Sequence, residues 1–348
     1  MSDRFRRRLV RGAGWGAAGL AGLLAVALAT TAVLDAVDRR RVRPPGDLVE
    51  LADGRRLHLH VLAPADDGAA SDAPTIVLEA GSGGFAASMA WLHRELAEHT
   101  TVVAYDRAGY GFSDPGDRPL SAAAVADDLH DALQRRGLSG PYLLVGHSLG
   151  GGYVRVFAAR YPDEVAGLVL LDPVHEDQLA RQPAEATERL EQAQQQLAVA
   201  PLLARLGVFR LVDVQGEVVA ALPEDAGVQH RGRSVTAAGM RAYAREVAVL
   251  PDLLDEVARA EGTADATASW GLPAVIISAT EPGEGETLDA REAMDAMHRD
   301  LADRSPTARH TAIAGADHLS LITDADHASE VAATVLELLA ELGSPEAP

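Results

Sequence analysis

The chain has no cysteine and no lysine. Without thiols there is no disulfide, no thiolate nucleophile and no cysteine-ligated zinc, and the redox compartment leaves no mark. That every basic residue is arginine fits a GC-rich coding bias better than any chemistry. Positive charge is scarce: 31 basic residues face 51 acidic ones, a formal net charge of −20. Residues 1–43 hold nine arginines and three aspartates, so the remainder carries 22 basic and 48 acidic side chains, a net −26. That field repels phosphate backbones and argues against a nucleic-acid partner; a solvated acidic surface accounts for it. Patterned metal-ligand clusters such as H-x-x-E-H are missing, so neither a metal nor a cofactor is expected. His58 and His60 share one face of a strand pattern, which a solvated edge strand explains better than a metal site.

What is present starts at the N-terminus. Arg4, Arg6, Arg7, Arg8 and Arg11 precede an uncharged run from Gly12 to Leu34, which Asp35 ends. At 1.5 Å per residue, its 23 residues in a helix match the roughly 30 Å of a bilayer's hydrocarbon. A cleaved signal peptide is the rival reading, given small residues such as Ala27 and Ala29, but the run exceeds an ordinary h-region. Arg6-Arg7 before Leu9 and Val10 faintly resembles a twin-arginine signal. Arg39, Arg40, Arg41 and Arg43 flank the far end. The N-terminal cluster is slightly larger, which favours an inside N-terminus, a single-pass membrane protein and an extracytoplasmic catalytic domain.

Apolar residues make up 47% of 348, enough for one large α/β domain with an insertion. Pro44-Pro45-Gly46 opens the folded part, and β-type runs then alternate with helical stretches, as in a mostly parallel sheet flanked by helices. Strands are expected at 56–62, 75–79, 101–105, 142–145, 167–171, 273–278 and 307–313. Helices are expected near 89–99, 121–136, 154–161, 288–301 and 328–342. Between 174 and 269 the alternation gives way to Ala-, Gln-, Glu- and Arg-rich helical spacing. That insertion suggests a lid over the C-terminal edge of the sheet, where open α/β sheets bind ligands. Leu202, Leu203, Leu206, Val208, Phe209, Leu211 and Val212 crowd one stretch of it; buried packing accounts for most of them, and some are expected to turn toward a ligand. The expected division is a basic segment 1–11, a transmembrane anchor 12–34, a linker 35–46, core 47–173, lid 174–269, core 270–342 and a tail 343–348.

Gly146-His-Ser-Leu-Gly150 follows a strand and opens a helix, the setting of a nucleophile elbow. The glycines allow the sharp turn that thrusts the Ser148 hydroxyl into the cleft. His147 faces away on such a turn and is read as structural. Donors for a developing oxyanion are expected at the Leu149 N–H, on the helix N-terminus, and at Ser82 in the Gly81-Ser-Gly-Gly84 loop. A serine hydroxyl needs a base, and His318 in Gly315-Ala-Asp-His-Leu-Ser320, after the last strand, is placed to serve; His327 is the weaker rival.

These motifs, with Tyr105-Asp-Arg-Ala-Gly-Tyr-Gly-Phe-Ser-Asp114 and Tyr161-Pro-Asp-Glu-Val-Ala-Gly-Leu-Val-Leu-Leu-Asp172, resemble the α/β-hydrolase superfamily over about residues 47–342. The nearest subgroup is that of bacterial serine hydrolases with an N-terminal transmembrane segment. The resemblance implies hydrolysis of a carboxylic ester or related acyl bond of a small molecule, through an acyl-enzyme. An amidase, a thioesterase, a C–C bond hydrolase and a cofactor-free perhydrolase would use the same residues. A non-catalytic, membrane-tethered binding protein is the alternative from another class. Serine at 148 sets the chain apart from haloalkane dehalogenases and epoxide hydrolases, which use aspartate. Asp106 and Arg107 match a signature that holds the loop after its strand. The family's usual acid slot reads Ala279-Thr-Glu-Pro-Gly283 here, without aspartate. Some relatives take the acid from the end of the preceding core strand, which Asp172 occupies here, so the resemblance implies Asp172 as the triad acid; a turn residue before Pro173 is the alternative reading, and Glu281 and Glu284 are in reserve.

Overall fold

A computed structural model describes residues 3–65, 73–116, 118–262 and 271–343, with no side-chain description for residues 3–19 and Arg39. The small-residue loop after Pro64, the last residues of the expected lid and the tail beyond Gly343 lie outside the described residues, as do the side chains of the basic segment's arginines. Helix α1 (Asp3–Arg41) leads into eight strands in one sheet: β1 (Asp47–Glu50), β2 (Arg56–Leu62), β3 (Thr75–Glu79), β4 (Val102–Asp106), β5 (Tyr142–His147), β6 (Val165–Leu171), β7 (Ala274–Ala279) and β8 (Ala308–Ile313). Their order is β1-β2-β4-β3-β5-β6-β7-β8. The β1–β2 and β2–β4 pairs are antiparallel and the rest parallel. Continuous apolar runs such as Leu143-Leu-Val145 and Leu168-Val-Leu-Leu171 suit such strands, because helices cover both faces.

Alternation along each strand feeds two cores. Val77, Leu144, Leu168, Leu170 and Ile276 face α3 (Ala122–Arg135) and α4 (Leu149–Arg160). Their neighbours Leu78, Val145, Val169, Leu171 and Ile277 face α2 (Ala90–Leu96) and the C-terminal helix. Helix α3 shows why it forms: Ser121 caps it by accepting from Ala124 N at 3.1 Å, and Ala122, Val125, Ala126, Leu129 and Leu133 make its buried stripe.

The inserted region contains α5 (Gln178–Arg181), α6 (Ala184–Arg205), α7 (Gly216–Ala221), α8 (Glu224–Arg233), α9 (Ala237–Ala248) and α10 (Leu250–Glu261), with no strand among the described residues. Not all of it is a lid. Leu253, Leu254 and Val257 of α10 are buried in the α3–α4 core, so α10 flanks the sheet. Helix α11 (Leu288–Asp303) packs on β7 and β8, and the short α12 (Ser320–Thr323) precedes α13 (Ala325–Leu342).

Of the expected linker 35–46 the first part is helical: α1 runs to Arg41, just short of the Pro44-Pro45-Gly46 break, and residues 42–46 form the non-helical link. One expectation needs correction. His58 is not on a solvated edge strand, because β1 pairs outside β2. Its ring is fully buried, with Nδ1 2.8 Å from Asp106 Oδ2 and Nε2 against the Pro45 carbonyl.

Candidate active site

The parallel strands deliver three chain segments to one end of the sheet. Ser148 follows β5 at φ 55°, and Asp172 follows β6 at φ 43°, two left-handed turns carrying side chains. Such backbone costs about 1–3 kcal/mol per residue and persists where surrounding bonds fix it. Here the Ser148 N–H donates to Leu171 O (2.9 Å), Val174 N–H donates back to Ser148 O (3.1 Å), and Asp172 N–H donates to Ile277 O (2.7 Å). A Cβ at Gly146 would lie 2.6 Å from Gly150 O, and one at Gly150 would lie 2.4 Å from Glu79 O, so the elbow admits neither.

Asp172 is buried, and its Oδ2 lies 2.6 Å from His318 Nδ1 and 2.8 Å from Arg291 Nη1. Its Oδ1 accepts from Ala279 N at 3.1 Å. Burial alone would raise its pKa, but the His318 hydrogen bond and charge, with His298 and Arg291 behind them, hold it well below the carboxylate range. His298 stands beyond: burial pushes it down to about 4, its Nε2–H donates to Pro173 O (2.9 Å), and its Nδ1 accepts from Ser278 Oγ (2.7 Å). His318 is partly exposed, with its carbonyl 2.8 Å from His147 Nε2. His147 itself is pushed down to about 3 by burial and the nearby His318 ring, so a neutral imidazole pins the His318 backbone to the elbow. No hydrogen bond joins Ser148 Oγ to the His318 ring among the described residues.

Of the reserve acids, Glu281 and Glu284 are exposed on the loop after β7, and neither carboxylate is hydrogen-bonded to His318 among the described residues. His327 bonds Ser320 Oγ at 3.1 Å and has no part in this cluster. Ser82 lies on the loop after β3, and Leu149 opens α4. A Cβ on Gly81 would lie 2.9 Å from Ser148 Cβ, so the β3 loop sits directly on the elbow. Among the described residues, neither the Ser82 nor the Leu149 N–H donates to another protein group.

Sequence reading missed what holds that loop. Asp106 holds the loop after β4 by accepting from Phe112 N at 2.8 Å, and also accepts from Ala86 N at 3.0 Å, while the Arg107 guanidinium lies 4.9 Å from the centroid of the Tyr110 ring of that loop. Arg107 also crosses to the β3 loop and donates to the carbonyls of Ala80 (2.6 Å) and Gly81 (2.8 Å). Its buried guanidinium lies between Glu79 (2.6 Å) and Glu246 of the lid helix α9 (3.2 Å). Burial would lower the Arg107 pKa, but the two carboxylates raise it well above its ordinary value. Glu79 in turn is raised to about 6, chiefly by burial. Glu246 also accepts from Ser82 Oγ (2.8 Å), Gly83 N (3.2 Å), Tyr110 OH (2.7 Å) and Tyr153 OH (2.9 Å). One α9 carboxylate thus fastens the β3 loop to two core tyrosines. Glu246→Ala would leave these donors and the Arg107 charge short of a partner, and a cost of about 3–5 kcal/mol is expected in urea unfolding. A loss below about 1 kcal/mol, the range of surface pairs, would show that the network does not bind lid to core.

A sequence profile described as alpha/beta hydrolase fold matches residues 74–325. An uncharacterized protein of Schizosaccharomyces pombe is 47% identical over 77 residues, which is 22% of this chain and 14% of that protein. The chain thus spans a small part of that relative's length. Among solved structures, an ancestral haloalkane dehalogenase superposes with a TM-score of 0.65 at 18% identity, over 85% of this chain and 99% of the other. The enol-lactonase of Burkholderia xenovorans LB400 does so with a TM-score of 0.57 at 21% identity, over 84% and 100%.

Proposed function

Because the chain belongs to the α/β hydrolase fold family, we propose that it is a serine hydrolase that cleaves a carboxylic ester of a small acyl substrate. The observation that carries this reading is the Asp172–His318 contact at 2.6 Å beside an elbow serine. Asp172 fixes the His318 tautomer with its proton on Nδ1, which leaves Nε2 to take the Ser148 proton. Ser148 Oγ attacks the acyl carbon, and the C–O bond to the alcohol breaks as His318 returns the proton to the leaving oxygen. Water, deprotonated by His318, then releases the acid and restores the serine. The Ser82 and Leu149 N–H groups receive the oxyanion in both halves; their freedom from other acceptors supports that role. An ester is the default because an alkoxide leaves more readily than an amide nitrogen. Dehalogenase chemistry does not follow from the superposition above, since a serine stands at 148.

Helix α1 anchors the enzyme in a membrane. Within it Leu20–Asp38 is apolar and long enough to cross a bilayer, with a mean hydropathy of 2.1. The catalytic domain lies outside the cytoplasm, following the larger arginine cluster at the N-terminus.

A fluorophosphonate probe tests the chemistry directly. Purified full-length protein should take up one equivalent, and peptide mapping should find it on Ser148. Stable protein that stays unlabelled, or carries the label elsewhere, would return the chain to the class of tethered binding proteins.

A further inference from the structure

Part of the inserted region's apolar surface is open to solvent. Leu211 is 88% exposed, and Leu202, Val212, Val214 and Val199 are each more than half exposed. They belong to α6 and to the segment that follows it, and that segment lies against α1. Thr31 is buried there, beside Gly207, where a Cβ would come within 2.7 Å of the Thr31 hydroxyl. One turn further along, Arg210 Nη2 bonds Asp35 Oδ1 at 2.5 Å and Asp38 Oδ2 at 2.7 Å. Residues 31, 35 and 38 form one face of α1, so the lid grips the helix where its apolar run ends. Thr31 is three residues inside Leu34, about 4.5 Å along the axis. A bilayer crossed by α1 up to Asp35 would therefore reach the level of Leu211 and Val212.

Resting on the anchoring of α1 proposed above, we propose that the outer face of the lid, centred on Leu211 and Val212, docks into the surface of the bilayer that α1 crosses. Leu28, Val33 and Leu34 of α1 are exposed as well. Soluble proteins seldom leave so much apolar surface in water, and a lipid surface covers it without a further partner. Charge agrees. The chain beyond residue 43 carries −26, yet at this end of the lid Asp35, Asp38 and Asp213 are paired with Arg210 and Arg231, and exposed Arg41, Arg43 and Arg205 lie beside them, where phosphate headgroups would lie. A second copy of the chain would bring the same acidic surface toward itself. Lid docking also fixes the enzyme's face: Glu246 ties the same lid to the oxyanion loop, so the active site is held beside the bilayer rather than swung away on a tether.

The chain's lack of cysteine makes the test clean. Full-length Leu211→Cys and Asp163→Cys variants, each labelled with the environment-sensitive fluorophore NBD, are reconstituted in phosphatidylcholine–phosphatidylglycerol vesicles. Asp163 is exposed at the N-terminal end of β6, the end of the sheet remote from the lid. The Leu211 label should emit at shorter wavelength and be quenched roughly twofold by lipids spin-labelled near the headgroup, and less by deep labels, as for a face about 5–10 Å into the boundary. The Asp163 label should remain water-like. Fluorophosphonate labelling of both variants shows that they are folded. Protein that floats with the vesicles while its Leu211 label stays unquenched overturns the docking and leaves the anchor standing. A blue shift without lipid quenching overturns it too, in favour of a second copy. Protein that fails to float overturns the anchor and, with it, the docking.

Discussion

Ser148→Ala is expected to remain folded and to lose ester hydrolysis by about 10⁴-fold or more, in line with removal of a nucleophile from such a triad. Folding should survive because alanine keeps the Cβ already accommodated at φ 55°, and the Ser148 hydroxyl makes no hydrogen bond among the described residues. The backbone bonds that hold the elbow, to Leu171 O and from Val174 N, do not involve the side chain. A change in unfolding free energy within about 1 kcal/mol is therefore expected, as for a substitution that opens no cavity. Activity must fall regardless, since the Ser82 and Leu149 donors can stabilise an oxyanion but cannot supply the attacking oxygen. Pure variant with activity within tenfold of the parent would end the serine mechanism.

Asp172→Asn is expected to lower kcat on the order of 10³–10⁴-fold. The environment of this carboxylate makes the reason specific. Both oxygens accept: Oδ1 from Ala279 N, and Oδ2 from His318 Nδ1 and Arg291 Nη1 together. An asparagine must place its NH₂ on one side or the other. Toward His318 it meets two donors and drives the imidazole to carry its proton on Nε2, the atom that has to be bare to act as base. Toward Ala279 it meets a buried backbone N–H and leaves it unpaired. Either arrangement costs about 1–3 kcal/mol of stability, a loss that thermal unfolding should register beside the kinetic one.

Much of this site was readable along the chain because its signals are local. Glycines at 146 and 150 around a serine, a strand before and a helix after, require nothing distant. The choice of Asp172 came from the missing aspartate at 279–283, and its proximity to His318 follows from β6 lying between β5 and β7. Glu246 and Arg291 were not legible. Glu246 lies 164 residues from Ser82, and Arg291 lies 119 from Asp172. Each sits in a helix that its pattern marks only as amphipathic, and such a pattern does not say which neighbour a buried charge will meet. The same limit explains α10, whose leucines and Val257 pack on the sheet's helical layer although they follow the lid helices directly. It also explains His58: the strand pattern of β2 was correct, but its solvent exposure depended on β1, a four-residue strand too short to announce itself.

The central claim is that the acid of this site has moved from the loop after β7 to the end of β6. The measurement that tests it most directly is kcat on one p-nitrophenyl ester for Asp172→Asn and Glu281→Gln, purified side by side. The account predicts a loss of about 10³–10⁴-fold for Asp172→Asn and less than about tenfold for Glu281→Gln, whose side chain is exposed. An inactive Glu281→Gln beside a nearly normal Asp172→Asn would contradict it, returning the acid to the β7 loop and leaving Asp172 as the residue that turns the chain after β6.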